Sequence, residues 1–174
     1  MFNSSRTVQQ VAALPFAPRD AGLEILLVTS RKKRGRSKGG GRWILPKGWP
    51  KRSETFADAA MREAHEEAGV TGAVHPAPIG NYAYKKKMRA GYKVPSRVFV
   101  FALRVHETHD EWLEKGQRDR RWVSLAEAAG LVDDRNLAQL LRGLTDNDGA
   151  ALHSLLAELD AGRDGAPAHE PATC

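Results

Sequence analysis

The chain reads as an α/β protein, and two observations carry that reading. Short runs rich in β-branched and apolar residues recur between Val8 and Val123, Arg97 to Val105 being the clearest of them. They enclose one helical segment between Thr55 and Gly69, and further amphipathic helical pieces follow only after the last run. At 174 residues the length suits one domain with a substantial core.

In order, residues 1–7 are expected to be a flexible N-terminus, and 8–161 to form the domain. Val8 to Phe16 is a first strand ending at Pro18, Arg19 to Gly22 a turn, and Glu24 to Ser30 a buried strand. Arg31 to Arg42 holds seven Lys and Arg residues together with Gly35, Gly39, Gly40 and Gly41, a composition that cannot bury itself and predicts a basic mobile loop. Trp43 to Pro46 is a short strand, and Trp49 lies six residues beyond Trp43, placed either to stack on a ligand or to cover the sheet. Ala73 to Ala77 and Ile79 to Tyr84 read as extended, with a loop carrying Lys85, Lys86, Lys87, Arg89 and Lys93 between them and the strand Arg97 to Val105. Thr108 to Lys115 is an acidic loop around Trp112, and Arg120 to Val123 a last strand. Ser124 with Glu127 opens a helix to about Leu131. Leu137, Leu140, Leu141 and Leu144 mark another, and Gly149 to Leu159 lies in a helical extension over 145–161. The Gly, Pro and Ala content of 162–174 predicts a disordered tail.

The most informative stretch is Gly48 to Val70. Thr55 followed three residues later by Asp58 predicts a helix start near Phe56, and Gly69 sits where a left-handed cap ends it. At 100° per residue, Glu63, Glu66 and Glu67 fall within an arc of about 100°. Like charges so close repel by a few tenths of a kcal/mol per pair (roughly 0.2–0.5), and a merely solvated face would interleave lysines. Ala57, Ala60, Met61, Ala64 and Ala68 fill the adjoining arc and let the helix lie close to a sheet. Three carboxylates at the rim of such an interface suit a hard cation with oxygen ligands. Arg62 stands beside them, able to hold Glu54 or Glu63 through a forked hydrogen bond.

Written as a pattern, this stretch is G-x5-E-x7-R-E-U-x-E-E-x-G-U, with U aliphatic or small, and it resembles the Nudix box with no position missing. Seven fixed positions plus two loose ones match by chance roughly once in 10^9 to 10^10 starts. The resemblance implies a Nudix α/β/α sandwich with a mixed sheet, and metal-dependent hydrolysis of a phosphoanhydride. It further implies that Glu63, Glu66 and Glu67, with the backbone carbonyl of Lys47 or Gly48, ligate Mg2+ or Mn2+. Arg62 and Glu54 complete the candidate catalytic group. Many members carry Gly-Gly where this chain has Lys47-Gly48, a departure that bears on substrate details. Short pieces elsewhere, Val28 to Arg31, Trp43 to Pro46, Arg97, Glu111-Trp112 and Arg120 to Val123, resemble the diphosphoinositol and diadenosine polyphosphate phosphohydrolase branch. That likeness implies phosphate contacts from Ser30, Arg31, Arg97 and Arg120, with Arg42 and Lys47 completing the candidate substrate-binding set. Glu111 or Glu114 is placed to add a late metal ligand.

The formal charge of +6 is concentrated in the two basic stretches, which suit a polyanionic partner: a polyphosphorylated small molecule first, RNA second. RNA 5′-pyrophosphohydrolase, nucleotide-sugar or dinucleotide pyrophosphatase, and non-catalytic phosphate sensor are the competing readings. No apolar run approaches the roughly 18 residues of a membrane span, and Met1 to Arg6 lacks the pattern of a secretory signal. The single cysteine, Cys174, provides neither a disulfide framework nor zinc-ligand spacing, so a reducing cytoplasm is the expected location.

Overall fold

The computed structural model describes residues 7–31 and 41–164. The interior of the basic loop, most of the expected tail and the first six residues lie outside the described residues.

Eight strands form one mixed sheet: β1 (Val8–Arg19), β2 (Gly22–Thr29), β3 (Trp43–Ile44), β4 (Lys47–Gly48), β5 (Val70–Val74), β6 (Gly80–Lys87), β7 (Lys93–Thr108) and β8 (Arg120–Ser124). The main path runs β3-β2-β1-β7-β5, with β4 on β1, β6 on β7 and β8 on β2. β1 and β7 are parallel, Val8 opposite Ser96 through Phe16 opposite Arg104. Such a pair has both faces covered, and β1 reads accordingly as a nearly continuous buried run.

Alternation along these strands separates two cores. Ala12, Leu14, Phe16, Val98, Val100 and Ala102 face α2 (Leu125–Leu131) and α3 (Arg135–Asp164), meeting Leu137, Leu141 and Leu152. Val11, Ala13, Phe101 and Leu103 face α1 (Phe56–Ala68), meeting Ala57, Ala60, Ala64 and Ala68. The result is the three-layer α/β/α sandwich expected. Among the described residues no helix is long and apolar enough to cross a membrane.

Several boundaries move for identifiable reasons. The strand Trp43–Pro46 is split, because Pro46 has no N–H to donate. Ala13 N–H bonds Pro46 O at 3.0 Å, and Lys47–Gly48 then pairs with Ala12 and Val11 instead of continuing along β2. The second basic stretch is a hairpin and not a loop: Lys85, Lys86 and Lys87 lie in β6 opposite Pro95, Val94 and Lys93, with a tight turn at Met88–Tyr92. β5 begins directly after the cap at Gly69, three residues ahead of the expected start. α3 contains both expected terminal helices. They are separated where Asp146 turns extended and Asn147, Asp148 and Gly149 all adopt positive φ. The second runs on through Asp164, past the residue 162 at which the tail was expected to begin.

Helix α1 ends as its sequence requires. Gly69 has φ 64° and donates to His65 O at 3.1 Å. A Cβ added there would approach the Trp112 side chain to 2.9 Å. Gly69→Ala combines a left-handed backbone with that close contact, so it is expected to cost about 2 kcal/mol in urea unfolding.

Candidate active site

The caps fix which face of α1 meets the sheet. Thr55 Oγ1 accepts the Asp58 N–H at 3.1 Å and donates to the Asp58 carboxylate at 2.7 Å. From that start the alanine row is buried against β1 and β7, and Glu63 and Glu67 are carried to its edge at 9% and 4% exposure, with Glu66 half-buried beside them. β4 crosses over the same edge. Its Lys47 N–H donates to Glu67 Oε2 at 3.1 Å. A Cβ on Gly48 would lie 2.1 Å from Glu63 Oε1, so only glycine leaves room for that carboxylate.

Arg62 holds both acids that the sequence offered it. Its Nε donates to Glu54 Oε2 at 3.0 Å and its Nη2 to Glu54 Oε1 at 2.7 Å, while Nη1 reaches Glu63 Oε1 at 2.8 Å. The same guanidinium donates to Trp49 O at 3.0 Å, fixing the backbone of the loop that leads into the helix. Glu54 also accepts the Lys51 N–H at 2.7 Å. These donors, Arg62 foremost, hold the Glu54 carboxyl down at about 2. Burial pushes Glu67 the other way, up to about 7, against the opposing pull of Arg118 and the Lys47 N–H.

A cavity of about 560 Å3 opens over this floor. Glu63, Glu66 and Glu67 lie at its base, and Arg31, Lys47, Lys51, Arg62, Lys86 and Arg118 contribute cations around them. Ser30 lines it as well, and Trp49 stands at the rim, 42% exposed, with Lys86 Nζ 4.5 Å from its ring centre. Among the described residues, each basic stretch thus contributes one cation to the cavity: Arg31 from the start of the first and Lys86 from the hairpin.

Three candidate substrate contacts are not brought to this cavity. Arg42 closes the base of the basic loop, its O accepting Ser30 N–H at 2.8 Å and its N–H donating to Ser30 Oγ at 3.1 Å, and it borders a separate small pocket with Trp43, Tyr82 and Tyr84. Arg97 is exposed on β7 between Gln9 and Ala83 in register, outside the cavity lining. Arg120 donates to Ala68 O at 2.8 Å with its guanidinium 4.0 Å above the Trp112 ring, a clamp on the end of α1. Of the two acids offered as late ligands, Glu111 is exposed and paired with Lys115, and Glu114 is buried between Arg31 and Arg118. Sequence reasoning missed Arg118 and Gln10. Gln10 carried a signal, a polar residue inside an apolar strand, and its side chain accepts the Tyr84 hydroxyl. Arg118 carried none that separates it from Arg120 and Arg121.

Among the described residues no three His, Cys, Asp or Glu side chains are gathered into a ready-made metal cluster. The donor set nevertheless fits a divalent cation. Glu63, Glu66 and Glu67 offer hard oxygens on one face, the glycine at 48 leaves space at Glu63, and Lys47 lines the same cavity.

A three-layer sandwich whose central helix turns three box glutamates into a cation-rimmed cavity defines a class, and comparison with known proteins agrees with it. The NUDIX domain model matches residues 7–143. Nudix hydrolase 4 of Arabidopsis thaliana is 37% identical over 106 residues, covering 61% of this chain and 46% of that protein. Diphosphoinositol polyphosphate phosphohydrolase 3-beta of Bos taurus is 32% identical over 107 residues, covering 60% and 57%. Among solved structures, a binary complex of the C. elegans Ap4A hydrolase shares the fold with a TM-score of 0.55 at 20% identity, over 85% of this chain and 99% of that one. The chain belongs to the Nudix hydrolase family, and it spans about half the length of these two curated relatives.

Because the folded carboxyl of Glu54 lies below its unfolded value of about 4.3, its pairing adds stability above that pH and loses it as pH falls toward about 2. Glu54→Gln should therefore be less stable than wild type at pH 6, with the difference closing at the acid end of a urea-unfolding series.

Proposed function

We propose that the protein hydrolyses a phosphoanhydride bond in a highly phosphorylated small molecule of the diadenosine polyphosphate or diphosphoinositol polyphosphate type, in the cytoplasm, with Mg2+ or Mn2+. The observation that carries this reading is the cavity itself: a carboxylate base for metal, ringed by more cations than one scissile linkage requires. Arginine forks and lysines around an acidic floor suit a ligand with several phosphates beyond the reacting one. The name of the Bos taurus relative points to the same substrate class.

Glu63, Glu66 and Glu67 would hold the metal, with the Lys47 carbonyl. When bound it supplies neutralisation of the phosphoryl oxygens and a lowered pKa for the attacking water. The remaining work belongs to the chain. Arg62 and the Lys47 N–H fix the rotamers of Glu63 and Glu67 before substrate arrives. Arg31 and Lys86, both lining the cavity, bind the non-reacting phosphates. The water oxygen bonds to phosphorus, the bridging oxygen leaves with its electron pair, and the water proton passes to a carboxylate of this set. Trp49 offers an exposed ring at the mouth for an aromatic part of the substrate.

The test is a turnover screen with product analysis over diadenosine polyphosphates, diphosphoinositol polyphosphates, 5′-triphosphorylated RNA and nucleotide sugars, with and without Mg2+. Glu67→Gln should lower kcat by about 100-fold or more with an unchanged circular dichroism spectrum, and near-wild-type rates in that variant would overturn the metal assignment. The hairpin cations favour RNA as a second reading, which would show itself as a steep salt dependence for long RNA and a weak one for small substrates. A chain that binds phosphates but turns over nothing would be a sensor.

Lys86 tests the rim separately. It lines the same cavity as Glu63 and Glu67, and burial lowers its pKa against the opposing pull of those two acids. Lys86→Ala should raise KM for the preferred substrate by about tenfold, the worth of one charge-assisted contact, while kcat changes little.

A further inference from the structure

One buried charge lies outside everything the Nudix box specifies. Arg118, in the loop between β7 and β8, is 7% exposed. Its guanidinium is anchored at two points before it meets the floor of the cavity: Nη1 donates to Thr29 O at 2.9 Å, and Nε donates to the carboxylate of Glu114. The third arm, Nη2, donates to Glu67 Oε1.

The anchors are themselves fixed. Glu114 N–H donates to Glu66 O at 3.1 Å, so the turn that carries Glu114 is docked on the backbone of α1. Arg118 N–H donates to Glu114 O at 3.1 Å within the same turn. At the other end, Thr29 N–H donates to Asp119 O at 2.9 Å, and Asp119 N–H returns a bond to Thr29 Oγ1 at 2.9 Å. Arg118 is thereby clipped to the end of β2 and to α1 at once, with one fork of a rigid planar group aimed at Glu67.

Glu67 is consequently held from two sides, Oε2 by the Lys47 N–H and Oε1 by Arg118. Without Arg118 a carboxylate that is 4% exposed would keep a single donor and its rotamer would be free to turn.

We propose that Arg118 is a positioning residue of the hydrolytic site: it sets the orientation of the Glu67 carboxylate toward the metal, and Glu114 aims Arg118. This rests on the reading of Glu67 as a metal ligand. Lysine at position 118 keeps the charge but has no planar fork, so it cannot bridge Thr29 O, Glu114 and Glu67 together. It therefore separates neutralisation of the buried acids from orientation.

The experiment measures Mn2+ affinity by electron paramagnetic resonance titration of the free ion, alongside kcat, KM and thermal unfolding. It compares wild type, Arg118→Lys, Glu67→Gln and the double variant. Loss of a group that orients a ligand costs about 10- to 100-fold in metal affinity or activity. Arg118→Lys is expected to weaken Mn2+ binding and lower kcat to that extent, with KM within about threefold and a Tm close to wild type. In the Glu67→Gln background it should weaken Mn2+ binding no further, since two changes acting through one carboxylate are not additive. Wild-type Mn2+ affinity and kcat in Arg118→Lys, or full additivity in the double variant, would overturn the proposal. Should Arg118→Lys not fold, Glu114→Gln carries the same test, with the same expected loss and the same non-additivity. If Glu67→Gln alone leaves Mn2+ affinity and turnover unchanged, it is the metal-site reading that fails, and that outcome is distinct from failure of Arg118.

Discussion

Two carboxylates buried on one face of a helix are the constraint on which this structure turns. Glu63 and Glu67 stand one turn apart on α1, both largely out of water. Unit charges about 6 Å apart repel by about 3 kcal/mol at an effective dielectric of about 20, a sizeable part of the roughly 5–15 kcal/mol by which domains are stable. The repulsion is offset by two arginines from different parts of the chain. Arg62 comes from the helix itself and draws in Glu54 and the Trp49 carbonyl. Arg118 comes from beyond β7 and draws in β2 through Thr29. Neutralising the acids therefore ties together the loop before α1, the helix, the end of β2 and the loop after β7, the segments that surround the cavity.

Small residues allow this to happen at close range. The alanines of α1 lie on β1 and β7 without intervening bulk, so the glutamates beside them reach the sheet's edge and not open solvent. β4 is two residues long, yet its pairing with Val11 and Ala12 sets one N–H against Glu67 and one glycine against Glu63. The parallel β1–β7 pair beneath, buried on both faces, gives that arrangement a rigid support.

Helix α1 was legible almost to the residue because its information is local. Thr55, Asp58 and Gly69 are cap signals that act within a turn, and the carboxylate arc follows from periodicity. Boundaries set by partners across the sheet were less so. Lys85 to Lys87 read as a loop by charge, but β7 extends far enough to pair with them. The arginines show the limit most clearly. Arg97, Arg118, Arg120 and Arg121 are chemically alike in sequence, and only the path of the loop after β7 decides that Arg118 is buried at the acids while Arg120 caps α1 over Trp112. No periodic pattern encodes such a loop, so a cation that completes the site from 51 residues away was invisible, whereas Arg62, adjacent to Glu63, was not.

The ladder from Arg31 through Glu114 and Arg118 to Glu67 has a firm inner end and a loose outer one. Arg118 and Glu114 are each below 10% side-chain exposure, and breaking a pair at that depth strands a charge at a cost of about 3–5 kcal/mol. The Arg31 side chain is 63% exposed, and its pairing with Glu114 is screened by water and worth at most about 1 kcal/mol. A phosphate entering the cavity can thus recruit Arg31 at little cost, but it cannot recruit Arg118 without unseating Glu67. That difference in depth, within one chain of alternating charges, fits the proposed division of ligand exchange at Arg31 and fixed geometry at Arg118. It also shows how a strongly basic protein can keep an acidic floor: Arg118 is buried with the acids and Arg62 largely so, whereas Arg31 stands exposed at the rim.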